Sequence, residues 1–398
     1  MAIIKKIYHY CLAFLGALIY RFPSRKIFVV GITGTKGKST TLELINAILE
    51  AAGKKTALLS SIRIKINKES DKNLTGTTMP GRFFIQKFLR KAVDAGCEYA
   101  LVEVTSQGII QYRHRFINWG AVMFTNLTPE HIEAHGGFEK YREAKVDFFR
   151  YAARNPKTKL FLINKEDANA NYFLEAVAQF LSSERRITLF SKNQLLAADY
   201  RIPVTLSGDF NLENVATAIN FTRAMGIKDE TIKKAVENFG GVTGRMEIIQ
   251  NEPFRVIIDY AHTPDSLEAV YKSLLPSRLV CVFGSAGGGR DKWKRPELGK
   301  IAAKYCAEVI LTDEEPYDED PTQILSQIKS GIKNSEFKMQ NLHEILDRKE
   351  AIRKAISLAK KGDTVIITGK GHEPFIKMAK GKKIPWNERK VVEEVLKQ

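Results

Sequence analysis

The stretch Gly31-Ile-Thr-Gly-Thr-Lys-Gly-Lys-Ser-Thr40 has the residue types that bind phosphate. Glycines at 31, 34 and 37 let backbone N–H groups turn inward on anionic oxygens, and a helix starting at Lys38 adds partial positive charge. Lys38 neutralises terminal phosphates, and the Ser39 hydroxyl is a ligand for Mg²⁺. Gly34, Thr35, Lys36, Gly37, Lys38, Ser39 and Thr40 are the nucleotide-binding residues this predicts. The spacing departs from G-x-x-x-x-G-K-[ST] because position 32 is Ile, but the Gly-Lys-Ser ending and the strand before it favour a loaded loop over a plain turn.

Such a loop needs a strand before it and a helix after it. Ile27 to Val30, Thr56 to Ser60, Tyr99 to Val104, Ala121 to Thr125 and Leu160 to Ile163 are short apolar, β-rich runs of the buried-strand kind. Between them Lys38 to Ala52 and Phe83 to Ala95 carry helical spacing and stop at Gly53 and Gly96. A second series, Phe254 to Asp259, Arg278 to Phe283, Glu308 to Thr312 and Thr364 to Thr368, follows the Gly240-Gly241 pair. The expected fold class is α/β: a doubly wound, mostly parallel sheet carrying the P-loop ATPase domain, then a smaller Rossmann-like α/β domain. Boundaries are expected at 1–26 for an N-terminal helix and linker, 27–242 for the central domain and 243–398 for the C-terminal domain.

With 398 residues, 44% apolar and 27% charged, the chain is long enough for two or three domains and is not a fibre or a disordered tail. The 62 basic and 45 acidic residues leave a net charge of +17, a field that attracts anions in general without choosing among them. No base-stacking or groove-reading motif accompanies it, so nucleic acid is not an expected partner. Four cysteines, at 11, 97, 281 and 306, lie far apart without a C-x-x-C pair, which argues against a zinc cluster or a secreted disulfide framework and fits a reducing cytoplasm. The first 26 residues hold five Lys or Arg, no acid, and an apolar stretch from Cys11 to Tyr20. That stretch is too short to span a bilayer and lacks a cleavage site, so a helix packed on the body is the first expectation and peripheral contact with an anionic membrane the second.

Nine motifs in order resemble the Mur ligase superfamily along nearly the whole chain. After the phosphate loop these are Thr77-Thr-Met-Pro80, Glu103-Val-Thr-Ser-Gln-Gly108, Thr125-Asn-Leu-Thr-Pro-Glu-His131, Tyr141-Arg-Glu-Ala-Lys145, Phe210-Asn-Leu-Glu-Asn214, Gly244-Arg-Met-Glu247, Asp259-Tyr-Ala-His-Thr-Pro264, Gly284 through Lys292, and Gly369-Lys-Gly-His-Glu373. The chain is most similar to the MurE branch, which adds the third residue of the peptidoglycan stem peptide. The resemblance implies an ATP-dependent ligase that activates a muramoyl-peptide carboxylate as an acyl phosphate and captures it with a free amino acid. It implies Mg²⁺ held by Ser39, Glu103, His131 and a carbamylated Lys145, with Lys38 and His262 also catalytic. It puts Asn211 near the adenine, Arg245 on the phosphates and Asp259 near the ribose, with closure of the domains completing the site. Thr77, Thr78, Thr105, Gln111 and Arg113 match acceptor-binding positions, although Gln107 stands where a histidine is common. A monomer is permitted by the chain length.

Two departures bear on substrate. The family's N-terminal uridine-binding domain has no counterpart beyond the first 26 residues, which leaves a lipid-linked or otherwise non-UDP acceptor as an alternative. The Asp-Asn-Pro-Arg motif of diaminopimelate-adding enzymes reads Glu314-Glu-Pro-Tyr317 here, so the planar fork for a distal carboxylate is gone. With Tyr317 in place of the arginine, Glu314, Glu315 and Asp318 suit a side chain ending in an amine, such as lysine or ornithine, better than diaminopimelate, and Gly369 and Glu373 are expected to hold the amino acid's other groups. Folylpolyglutamate synthase and a non-catalytic ATP-binding partner are the other readings. The intact set Lys38, Glu103, His131 and Lys145 favours a catalyst over a scaffold.

Overall fold

The β-branched run Phe28–Thr33 forms β1, which lies at the centre of an eight-stranded sheet because both of its faces are apolar and both are covered. The computed structural model describes residues 2–130, 135–196, 200–333 and 337–398. Its strands in this sheet are β1, β2 (Thr56–Leu59), β3 (Arg63–Ile66), β4 (Glu69–Lys72), β5 (Tyr99–Glu103), β6 (Trp119–Phe124), β7 (Leu160–Asn164) and β8 (Arg186–Phe190). The order is β4-β3-β2-β5-β1-β6-β7-β8. All pairs are parallel except β2–β3 and β3–β4, where Arg-Ile-Lys-Ile and Glu-Ser-Asp-Lys make a polar hairpin at one edge.

Helices α1 (Ala2–Ile19), α2 (Lys38–Ala51), α3 (Arg82–Asp94), α4 (Ser106–Ile110), α5 (Phe138–Ala153), α6 (Ala170–Ala178), α7 (Asp209–Ala224) and α8 (Asp229–Glu237) accompany this sheet. The core joins sheet residues such as Val29, Val102 and Phe124 to Ile85, Phe88 and Leu89 of α3 and to Phe148, Phe149 and Phe173 of α5 and α6. The expected helix at the N-terminus is present, and it packs along α3.

Contacts divide the chain into one unit of residues 1–203 and 210–239 and a second of 204–209 and 240–398. The second unit has a sheet of order β13-β12-β11-β14-β10-β9, with β9 (Glu247–Gln250) antiparallel at one edge. The parallel strands are β10 (Arg255–Ile258), β11 (Leu279–Phe283), β12 (Glu308–Leu311), β13 (Leu342–Glu344) and β14 (Thr364–Ile367). A separate hairpin pairs β15 (Phe375–Lys377) with β16 (Lys383–Pro385). Helices α9 (Pro264–Ser273), α10 (Lys294–Tyr305), α11 (Pro321–Ile332), α12 (Arg348–Leu358) and α13 (Glu388–Leu396) complete it.

The cysteines add a feature that their spacing did not indicate. Cys281 on β11 and Cys306, just after α10, are joined in a disulfide across 25 residues, while Cys11 and Cys97 are free. Sequence distance hides the pair because α10 returns the chain to the edge of the strand it left. It is a single bridge and not a framework.

Candidate functional site

In the first unit the phosphate loop connects β1 to α2 at the C-terminal ends of the parallel strands, where open α/β sheets form their sites. Gly37 sits at φ +81 as the residue before α2, and a Cβ there would come within 2.0 Å of Asn214 Oδ1. Only glycine satisfies both conditions. Lys38 folds back on the loop, its Nζ donating to Gly34 O at 3.0 Å and Thr35 O at 2.8 Å. Lys145, brought in by α5 and buried, donates to the same Gly34 O at 2.7 Å. Burial, with repulsion from Lys38 added, holds the Lys145 amine well below the ordinary lysine range, and Glu130 opposes this.

Glu103 ends β5 and is almost fully buried. Its Oε1 accepts from Ser39 Oγ at 2.6 Å and from the Ser61 amide at 3.0 Å. A carboxylate and a hydroxyl beside a phosphate loop are hard oxygen donors, which fits a Mg²⁺ ion shared with a substrate phosphate. His131 lies outside the described residues. Among the described residues no cluster of three or more His, Cys, Asp or Glu is placed to hold a metal.

The loop is braced by groups that the sequence motifs contained without indicating their task. Asn126 Oδ1 accepts from the Lys36 amide at 2.9 Å, Thr125 Oγ1 donates to Lys36 O at 2.8 Å, and Tyr141 bonds Thr35 through its hydroxyl at 3.1 Å. Asn214 accepts from Thr41 at 3.2 Å and donates to Asn211 at 3.1 Å, so Asn211 is linked to the loop through one side chain. These partners stand about ninety to more than a hundred and seventy residues from the loop, a relation no local pattern carries.

The predicted acceptor residues gather on the same unit. Thr77 is exposed and Thr78 half-buried, whereas Thr105 uses its hydroxyl to cap α4 by accepting from the Gly108 amide. Arg113 donates to Gln111 Oε1 at 2.7 Å and to Met79 O, and Arg82, which sequence reasoning missed, donates to Gln111 O at 2.6 Å. Burial pulls both guanidinium groups below their ordinary range, and Arg82 adds to the effect on Arg113. Among the described residues neither is paired with a carboxylate.

The second unit gathers its polar residues at the C-terminal ends of β10, β11, β12 and β14. Asp259 is buried and accepts from the Met246 and Ala261 amides at 2.8 and 2.7 Å, so its carboxylate holds the turn that carries Arg245. Arg245 lies over the Tyr260 ring, 4.2 Å from its centre. His262 Nδ1 donates to Tyr260 O at 2.8 Å.

Beyond β12, Glu315 is paired with buried Lys370 at 2.9 Å and with Lys377 at 3.3 Å. Lys370 also reaches Glu373 at 2.6 Å, and the Tyr317 hydroxyl donates to Glu315 at 3.3 Å. Burial would raise the Glu373 carboxyl, but Lys370, with Lys377 and His372 behind it, holds it down at about 2. Glu314 differs: it is buried and its Oε2 has no hydrogen-bond partner among the described residues. Gly369, at φ +103, makes room for it, since a Cβ there would stand 2.4 Å from that oxygen. Next to it Asp313 Oδ1 is also unpartnered, and burial raises its carboxyl to about 6.

Family models match both units: the Mur ligase middle domain over residues 32–222 and the Mur ligase glutamate ligase domain over residues 244–371. A UDP-N-acetylmuramoyl-L-alanyl-D-glutamate–2,6-diaminopimelate ligase of Syntrophomonas wolfei is 36% identical over 410 residues, covering 97% of this chain and 81% of that protein. A UDP-N-acetylmuramyl-tripeptide synthetase of Roseiflexus is 35% identical over 413 residues, covering 95% and 80%. The solved structure of a UDP-N-acetylmuramoyl-L-alanyl-D-glutamate–2,6-diaminopimelate ligase superposes with a TM-score of 0.62 at 30% identity, over 93% of this chain and 78% of that one. Mycobacterium tuberculosis folylpolyglutamate synthase, solved with ADP and AMPPCP, shares the fold at a TM-score of 0.71 and 16% identity, over 93% and 96% of the two chains.

Proposed function

This chain belongs to the Mur ligase family, and from that premise we propose that it joins a cationic amino acid to a muramoyl-dipeptide carboxylate as the third residue of the stem peptide. The observation that carries the ligase chemistry is the convergence of Lys38 and Lys145 on Gly34 O beside the Ser39–Glu103 contact. Bound Mg²⁺, held by Ser39, Glu103, His131 and a carbamate on Lys145, would neutralise the charge of ATP and acceptor.

The chain's own groups account for the remaining steps. Lys38 holds the terminal phosphate while a carboxylate oxygen attacks its phosphorus, the bridging P–O bond breaks and ADP leaves. Arg82 and Arg113, unpaired with any carboxylate among the described residues, suit the acceptor's acid groups, with Thr77, Thr78 and Gln111 supplying hydrogen bonds and Thr105 ordering the adjacent turn. The amino group then attacks the acyl carbon, the C–O bond to phosphate breaks, and the surplus proton leaves the nitrogen. Asn211, Arg245 and Asp259 are assigned to adenine, phosphates and ribose, and His262 is kept as a further catalytic residue. The enzyme is taken to act in the cytoplasm, where ATP is supplied, and as a monomer.

Selection of a cation rests on Glu314. Glu315 is already matched by two lysines, so Glu314 Oε2, with Asp313 Oδ1 next to it, is the buried acceptor that an incoming ammonium group would satisfy. Tyr317 donates its hydroxyl to Glu315 and itself carries no positive fork for a second carboxylate, with the Arg290 guanidinium lying against it. Gly369 and Glu373 frame the same place.

The test is ATP-dependent phosphate release with UDP-N-acetylmuramoyl-alanyl-glutamate and lysine, ornithine or diaminopimelate, with product mass as the readout. A tripeptide mass with lysine or ornithine is expected. Product with diaminopimelate alone would overturn the selectivity, and no product despite ATP binding would overturn the acceptor.

A further inference from the structure

Helix α1 has two apolar faces, and the fold uses one. Ala13, Gly16 and Ala17 are buried toward α3, His9 bonds Arg82, and Tyr10 and Phe14 set their rings edge-on to Phe116 at 5.0 and 5.4 Å. The opposite side presents Ile4, Ile7, Tyr8, Cys11, Leu15, Leu18 and Ile19, which recur at the spacing of one helical stripe. Ile4 is 71% exposed, Leu18 50% and Ile19 61%, and no described residue covers them. Phe83 and Phe84, also exposed, add two rings at the start of α3. An apolar stripe of this length calls for an occupant.

The charge around it selects the occupant. Lys5 and Lys6 stand exposed near one end of the helix, and Arg21, Arg25 and Lys26 beyond the other. No Asp or Glu occurs before Glu43. A second copy of the chain seated symmetrically on this face would bring these cations against their own equivalents with no acid to meet them. An anionic lipid surface offers both halves of the match: acyl chains for the stripe, headgroup phosphates for the five cations. No described helix is long and apolar enough to cross a membrane, so the helix would lie on the surface.

We propose that α1 docks the protein on an anionic membrane surface, with its outer stripe in the headgroup boundary and its inner face still packed on α3. A consequence follows for the acceptor side, and it alone rests on the ligase reading. His9 on α1 touches Arg82, and Arg82 bonds Gln111, so the acceptor residues stand one side chain behind the docked helix. An acceptor carried by the same surface would meet them with little search.

The experiment is cosedimentation of the full chain with vesicles of phosphatidylcholine with and without phosphatidylglycerol, at low and high salt. The chain is expected to bind the phosphatidylglycerol vesicles, to bind plain phosphatidylcholine more weakly, and to release as salt rises. Leu15→Glu with Leu18→Glu should weaken binding by roughly tenfold or more, because two leucines leave the apolar contact. Melting temperature and turnover with a soluble acceptor should stay unchanged. Should the double variant fold poorly, Ile7→Ser at an exposed position tests the same stripe with less disturbance. Absence of binding, or equal binding by these variants, would overturn the proposal. So would a lipid-free dimer in sedimentation equilibrium that the variants dissociate. Turnover with a soluble acceptor separately tells whether the ligase reading holds.

Discussion

In the first unit four cations of the candidate site donate to backbone and amide oxygens, Lys38 and Lys145 to Gly34 O and Arg82 and Arg113 to Gln111, whereas Arg63 and Lys65 at the sheet edge meet Glu43 and Glu50. Around the amino-acid candidates of the second unit the cations face carboxylates instead: Lys370 and Lys377 on Glu315, Lys370 on Glu373, Arg348 on Glu388. A carbonyl relieves part of a cation's desolvation and leaves its charge uncancelled, whereas a carboxylate cancels it. The candidate acceptor site of the first unit is thereby prepared for anions, while among the described residues of the second unit Glu314 Oε2 and Asp313 Oδ1 stand buried without a hydrogen-bond partner.

The largest effect that would break this contrast is Glu315→Gln. It strips Lys370 and Lys377 of a shared buried carboxylate, and a loss of about 3–5 kcal/mol in folding stability is expected by chemical denaturation. An unchanged midpoint would mean that the pairs contribute nothing. Lys38→Ala comes next: turnover should fall by about 10²–10³, with the melting temperature little altered. A matching loss of stability would move Lys38 from chemistry to architecture.

The acid response sharpens the same comparison. Glu373 sits at about 2, below its usual 4.5, so its contribution to stability is in place above about 4.5 and is lost as pH falls toward 2. Unfolding measured over that window should show a steeper loss for the wild type than for Glu373→Gln. The smallest effect expected is for Arg113→Gln, which should raise the KM for the acceptor by roughly tenfold and leave those for ATP and amino acid alone. A change in the KM for ATP instead would place Arg113 on the wrong substrate.

What the sequence disclosed and what it concealed divide along physical lines. Strands such as Val29-Val30 of β1 and Val280-Cys-Val282 of β11 are legible because central parallel strands are apolar on both faces. The edge strands Arg63–Ile66 and Glu69–Lys72 and the hairpin Phe375–Lys377 with Lys383–Pro385 are polar or too short to leave a pattern. The phosphate loop is legible since one contiguous segment does its work. Asn126, Tyr141 and Asn214, which brace it, and Arg82, which joins Arg113, act through contacts far apart in the chain. The two glutamates show the same limit. Adjacent and alike in sequence, Glu314 and Glu315 differ because β14 and the residues after it deliver Gly369 to one and Lys370 and Lys377 to the other.

Glu314, whose buried Oε2 has no hydrogen-bond partner among the described residues, is the proposed acceptor for a cationic side chain. The most direct test is the ratio of kcat/KM for lysine to that for diaminopimelate, measured in the wild type and in Glu314→Gln. The account predicts a ratio well above one in the wild type that falls by roughly 10- to 100-fold in the variant, the loss of one charge-assisted bond to a buried group. A ratio that does not move, or a wild type that prefers diaminopimelate, would contradict it.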